Sequence, residues 1–134
     1  MILLTPELRA QLVANDLARC DALRRGDPAP DPVPVVRFFN PVGAATWLAT
    51  ELDEDGILFG IAELGFGCPE LGSFALEELE SIRLPFGLGI ERDILFKGKF
   101  PLSVYTEAAR RAGSLIEGER TLYRAAATAA KGGV

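Results

Sequence analysis

The sequence predicts an α+β fold: a mainly antiparallel sheet of four to five strands, with an N-terminal helix, a short central helix and one or two C-terminal helices. Two observations carry this. The elements run helix, several strands, short helix, strand, helix, which is not a βαβ succession. Asp53-Glu54-Asp55-Gly56 also joins two strand-like runs as a hairpin turn. The 134 residues, 49% apolar and 25% charged, fit a single domain over 1–134 that buries roughly two-thirds of its unfolded surface.

Taken in order, Thr5-Pro6-Glu7 opens a helix with an N-cap hydroxyl, a proline at the first helical position and an acid near the positive dipole end. Leu8, Leu12, Ala18, Cys20 and Leu23 recur at helical spacing, and Arg24-Arg25-Gly26 closes the segment 1–26. Residues 27–34 carry four prolines at alternate positions and read as an extended connector. The sheet region is 35–100. Val35 to Phe39 is a strand, Asn40-Pro41-Val42-Gly43 a turn, and Thr46–Leu52 with Ile57–Leu64 the hairpin. Pairing Leu52 with Ile57 gives one core face of Leu48, Leu52, Ile57, Phe59 and Ile61. It sets Trp47 over small neighbours on the other, a shallow groove or a seat for a helix. Residues 65–71 read as a loop, and Gly72 to Ala75 as a short strand feeding a helix from Glu77 to Arg83. Ile94 to Lys97 reads as a further strand. The part 101–134 is helical in composition, over Ser103–Ala112 and Glu117–Ala130, and is expected to fray at Gly132-Gly133.

The chain has no histidine, which excludes Ser-His and Cys-His nucleophilic systems, histidine bases and histidine-ligated zinc. Cys20 and Cys68 are far apart and outside any C-x-x-C arrangement, as expected of reduced thiols in a cytoplasmic protein. The N-terminus lacks a signal peptide's basic region, and no apolar run is long enough to span a bilayer. Gly65-Phe66-Gly67 and Gly87-Leu88-Gly89 are turn glycines and not phosphate loops. The Asp53–Gly56 turn lacks the ligand spacing of a calcium loop. No cofactor and no metal site is expected, and no catalytic residue stands out.

Charge is unevenly placed. Between Arg37 and Arg83 there is no lysine or arginine but nine carboxylates: Glu51, Asp53, Glu54, Asp55, Glu63, Glu70, Glu77, Glu78 and Glu80. Such asymmetry concerns partners and not fold. Glu91-Arg92-Asp93 is the densest cluster of both signs, and either clamps a polar ligand with Arg83 nearby or ties the acidic hairpin to the C-terminal part. Trp47 serves as core or as a binding platform. Candidate binding residues are therefore Trp47, Glu51, Glu63, Arg83, Glu91, Arg92 and Asp93. The net charge of −5 argues against direct nucleic-acid binding through Arg110, Arg111, Arg120 and Arg124.

Several strings occur in a telling order: Leu3-Leu4-Thr5-Pro6-Glu7-Leu8, Thr46-Trp47-Leu48-Ala49-Thr50-Glu51, Phe59-Gly60, Gly72 to Leu79, and Gly87 to Asp93 through Phe96. Together they resemble domain-of-unknown-function family twenty-nine fifty-eight, over residues 1 to about 103. The resemblance implies a small bacterial cytosolic protein of plasmids and other mobile elements, with no assigned activity and no catalytic residues to carry over.

The expectation is a non-enzymatic module that engages another protein through its acidic hairpin face and Trp47 side. One alternative is a ligand-binding protein or metal-dependent enzyme in which Glu51, Glu63, Arg83, Glu91, Arg92 and Asp93 converge. The other is an acidic DNA mimic, since strand rise and phosphate repeat are similar at roughly 3.3 and 3.4 Å. No membrane partner is expected, and the oligomeric state stays open.

Overall fold

Thr5 caps the first helix as its residue type foretells. In the computed structural model, which describes residues 2–132, its hydroxyl accepts the Leu8 amide at 3.2 Å, and helix α1 runs Pro6–Arg24. The proline-rich connector forms neither helix nor strand, yet it is docked. The Pro32 carbonyl accepts the Leu102 amide at 2.9 Å, and the Asp31 carboxylate accepts the Ser103 amide at 3.1 Å. These bonds satisfy leading amides of the helix that begins at Leu102, whose own cap residue, Pro101, offers no side-chain acceptor.

Five strands follow: β1 (Val36–Phe39), β2 (Thr46–Leu52), β3 (Ile57–Glu63), β4 (Glu70–Ala75) and β5 (Glu91–Arg92). They form one antiparallel sheet in the spatial order β4-β3-β2-β1-β5, as the α+β expectation requires. Helix α2 (Leu76–Ser81) continues directly from β4, and α3 (Leu102–Ala112) and α4 (Leu115–Gly132) form a C-terminal helix pair. The expected fraying at Gly132-Gly133 lies partly outside the described residues; the helix itself reaches Gly132.

Helices cover the sheet on both faces. On one, Leu12 of α1 and Leu76 and Leu79 of α2 pack with Phe38, Trp47, Ala49, Leu52 and Leu58. On the other, Leu102, Tyr105 and Ala109 of α3 and Leu115 of α4 pack with Leu48 and Ile61. Central β2 is consequently buried at every position, including its one charged residue, Glu51, which pairs with Arg19 of α1. The Trp47 face is therefore the seat of a helix, α1.

The structure corrects two sequence expectations. Leu52 does not pair with Ile57. A bulge at Thr50 leaves Ala49 opposite Gly60 but puts Glu51 opposite Phe59 and Leu52 opposite Leu58, so Leu52 joins the Trp47 face. Gly60 permits this close crossing, because a Cβ there would lie 1.8 Å from the Leu48 carbonyl oxygen. Second, residues 94–97 are not a strand. The last strand is Glu91–Arg92, paired with Phe39 and Phe38 of β1. Asp93 then turns the chain, its carboxylate accepting the Leu95 amide at 3.0 Å, and this leaves Ile94 and Leu95 exposed.

Candidate functional site

The acidic block separates into three settings. Glu51 and Glu63 are buried; Glu51 accepts from Arg19 Nε of α1 at 2.7 Å, and Glu63 accepts the Gly65 amide. Asp53 builds the hairpin turn, its carboxylate accepting the amides of Asp55 and Ile57 at 2.8 and 2.9 Å. Glu54, Asp55, Glu70, Glu77, Glu78 and Glu80 are exposed. The Leu76 amide donates to the Gly56 carbonyl at 3.1 Å, which sets the start of α2 against the hairpin tip and brings Glu77, Glu78 and Glu80 to the same end of the sheet as Glu54 and Asp55, while Glu70 sits at the far end of β4, opposite Ala62. Of the nine, Glu51 alone forms an ion pair among the described residues. The C-terminal arginines do not neutralise them: Arg111 pairs with Glu107 and Arg120 with Glu117, each within its own helix.

The remaining sequence candidates lie apart. Trp47 is buried and lines a cavity of about 410 Å³ with Ala62, Phe74, Leu79, Ile82, Glu70 and Glu78, between β4 and α2. Glu51 lines a second cavity with Asp16, Arg19 and Asp53. Arg83 is exposed and donates to the Glu80 carbonyl at 3.4 Å. Glu91 is half-buried opposite Phe39, and Arg92 donates to the Ile2 and Leu3 carbonyls at 2.9 and 3.0 Å, tying down the N-terminal segment. Asp93 lines a third cavity. The convergence of Glu51 and Glu63 with Glu91, Arg92 and Asp93 is not formed, because β1 lies between β2 and β5.

The third cavity, about 600 Å³, holds the densest buried polar cluster and was missed from sequence apart from Asp93. Arg37 of β1 grips Glu119 of α4 with two nitrogens, Nε at 3.0 and 3.2 Å from the two oxygens and Nη2 at 3.1 Å from Oε1. Its Nη1 lies 3.7 Å from Asp93. Gly118 allows this placement, since a Cβ there would lie 2.7 Å from the Ala109 Cα and push α4 off α3. Glu119 is 6% exposed; burial pushes its pKa above the ordinary carboxylate value, outweighing the opposing pull of Arg37. Beside it, the Tyr105 and Tyr123 hydroxyls are 2.9 Å apart, and the Lys99 amide donates to the Tyr105 oxygen at 3.1 Å. Lys99 Nζ sits 5.4 Å from the Tyr123 ring centre. Burial pushes the Tyr123 pKa well up, so that this phenol stays protonated. One sequence signal pointed here: Arg37 is the sole charge in an otherwise apolar strand.

Among the described residues, no helix is long and apolar enough to cross a membrane, and no group of three or more histidine, cysteine or acidic side chains is arranged to hold a metal ion. Neither a curated protein nor a solved structure matches the chain. Residues 3–116 match a family described as "Protein of unknown function (DUF2958)", a span that contains the whole acidic end and stops before Glu119 and Tyr123. The chain therefore belongs to this family, the one its sequence motifs resemble.

Proposed function

We propose that the protein is a non-enzymatic interaction module that docks a basic, extended segment of another protein along the outer edge of β4. The observation that carries this reading is the coincidence of an edge strand with unneutralised acid. β4 ends the sheet, and no further strand pairs with it among the described residues. Glu70 on the strand, Glu77, Glu78 and Glu80 on α2, and Glu54 and Asp55 at the hairpin tip flank that edge, without ion-pair partners among the described residues.

An edge strand offers a row of backbone donors and acceptors to any extended chain, and natural proteins protect such edges with charge. Acids alone repel a second copy of this edge, yet they attract a strand bearing lysine or arginine. The cavity behind the strand, with Trp47, Phe74, Leu79 and Ile82 in its walls, would take an apolar side chain of the incoming segment. The link with mobile genetic elements implied by the family resemblance makes a DNA-handling protein the natural partner, since such proteins carry basic segments.

The test is an NMR titration with two peptides of equal charge, one alternating lysine and valine, the other with proline replacing the valines. The first is expected to perturb amides of 70–75 and of α2, more weakly as salt rises, and the second to have little effect, because proline removes every second amide donor together with the valine side chains. Glu70→Lys combined with Glu78→Lys should abolish the perturbation. Equal shifts from both peptides, or shifts that survive the charge reversal, would overturn the reading.

A further inference from the structure

We propose that the cleft between α4 and the segment following β5 binds a small organic oxyanion, a phosphate or carboxylate carried on an apolar body. The inference rests on which polar groups of the cleft are already committed. Both acids are engaged: Glu119 by Arg37, and Asp93 by the Leu95 amide with Arg37 at 3.7 Å. Two cations are not. Lys97 and Lys99 line the cleft, are exposed, and form no ion pair among the described residues.

The tyrosine pair supplies a third donor. Tyr105 is 0% exposed, so its hydroxyl hydrogen needs an acceptor inside the protein. Its oxygen already accepts the Lys99 amide, and its remaining hydrogen-bond partner is Tyr123 Oη at 2.9 Å. Tyr105 therefore donates to Tyr123, and the Tyr123 hydrogen is left to donate elsewhere. Half-buried Tyr123 forms part of the cleft wall, and its hydroxyl has no other partner among the described residues. Two ammonium groups and a phenolic O–H, with no uncommitted acceptor among them, suit an oxyanion and discriminate against a cation or a neutral acceptor-poor molecule.

The remaining walls define the rest of the ligand. Leu95, Phe96 and Ile116 form the apolar walls, Arg120 at the rim is held by Glu117 at 2.6 Å, and the volume of about 600 Å³ far exceeds a bare phosphate and lies within the ordinary range for small-molecule sites. An aromatic or short aliphatic body would lie against these side chains while the oxyanion meets the lysines.

The experiment is calorimetric and NMR titration of the full chain with phenyl phosphate, benzoate, inorganic phosphate and phenol. Phenyl phosphate and benzoate are expected to bind and to shift amides of 95–99 and 116–123. Inorganic phosphate should bind more weakly, and phenol not at all. Lys97→Gln combined with Lys99→Gln, at exposed positions that leave the fold intact, should weaken binding about tenfold or more. Tyr123→Phe should weaken it as well, with thermal unfolding as the control for folding. Binding that survives the double lysine substitution, or phenol shifting the same amides equally, would overturn the proposal. So would the absence of any shift with either organic oxyanion at about 10 mM. Inorganic phosphate binding as tightly as phenyl phosphate would overturn the apolar-body part.

Discussion

Replacing Arg37 by Met strikes the most exposed weakness of this structure, a buried acid whose counter-charge comes from a strand 82 residues away. Glu119 keeps 7% of its side-chain surface in solvent and Arg37 keeps 16%, so both charges are largely desolvated. Losing one partner of such a pair typically costs about 3–5 kcal/mol, while replacing both by apolar groups of similar size is often nearly neutral. The two single losses are not equivalent here. Without Arg37, Glu119 has no cation at hydrogen-bond distance among the described residues, and we expect a cost of about 3 kcal/mol at neutral pH. Without the Glu119 charge, Arg37 still has Asp93 at 3.7 Å, so Glu119→Gln should cost only about 1–2 kcal/mol. Arg37→Met combined with Glu119→Leu should return to within about 1 kcal/mol of wild type.

Urea unfolding measures these variants together with Glu119→Leu alone, which closes the cycle, at pH values from the carboxylate range upward. The direction with pH follows from the raised pKa of Glu119. A folded-state pKa above the ordinary 4.5 means that the native protein holds this proton more tightly than the unfolded chain does. Its contribution to stability therefore falls as pH rises from the ordinary carboxylate value through the folded one. That fall should steepen in Arg37→Met, where the lowering influence of the guanidinium is gone, and vanish in Glu119→Gln. Strict additivity of Arg37→Met and Glu119→Leu, or an Arg37→Met cost below about 1 kcal/mol, would refute the reasoning.

Two further expectations concern the scaffold. Gly60 and Gly72 face each other across β3 and β4, yet the same substitution should act oppositely. Gly60→Ala, with its new methyl 1.8 Å from a carbonyl oxygen, should cost about 3 kcal/mol or more in denaturant unfolding. Gly72→Ala, with nothing within 4 Å and no positive φ, should be neutral or stabilise by up to about 1 kcal/mol. Asp31→Ala should cost about 1 kcal/mol and increase amide exchange at Leu102–Ser103, where the connector supplies the missing cap.

The sequence was most readable where signals are local. Thr5-Pro6 at the start of α1, the Asp53–Gly56 hairpin and the spacing of Leu76 and Leu79 each act within a few residues, and each reappears in the structure. The bulge at Thr50 was not legible because a period-two reading carries one register through the whole strand; Gly60 held the only hint of it. The strand expected at 94–97 failed because apolar content outweighed Asp93, whose side chain starts a turn there, while pairing with β1 picked out Glu91–Arg92 instead. The polar cleft depends on Arg37, Asp93, Lys99, Tyr105, Glu119 and Tyr123 meeting from four separate stretches of chain. Only the unexplained arginine in an apolar strand pointed toward it.

The two proposed sites lie toward opposite edges of the sheet, one on β4 and the other where β1 and β5 meet α4. Four inter-strand steps of ~4.8 Å separate β4 from β5, roughly 19 Å, against a Debye length of ~8 Å at physiological salt. The acids around β4 are thus too well screened to repel an anion from the lysines of the cleft. Any coupling between the sites would have to travel through the packing of β3, β2 and β1. Glu70→Lys with Glu78→Lys should therefore abolish docking of the basic peptide while leaving phenyl phosphate affinity within about twofold of wild type at physiological salt. Phenyl phosphate binding several-fold more tightly to that variant would mean that the acidic end acts on the cleft across the sheet, and the two surfaces would have to be treated as one electrostatic device.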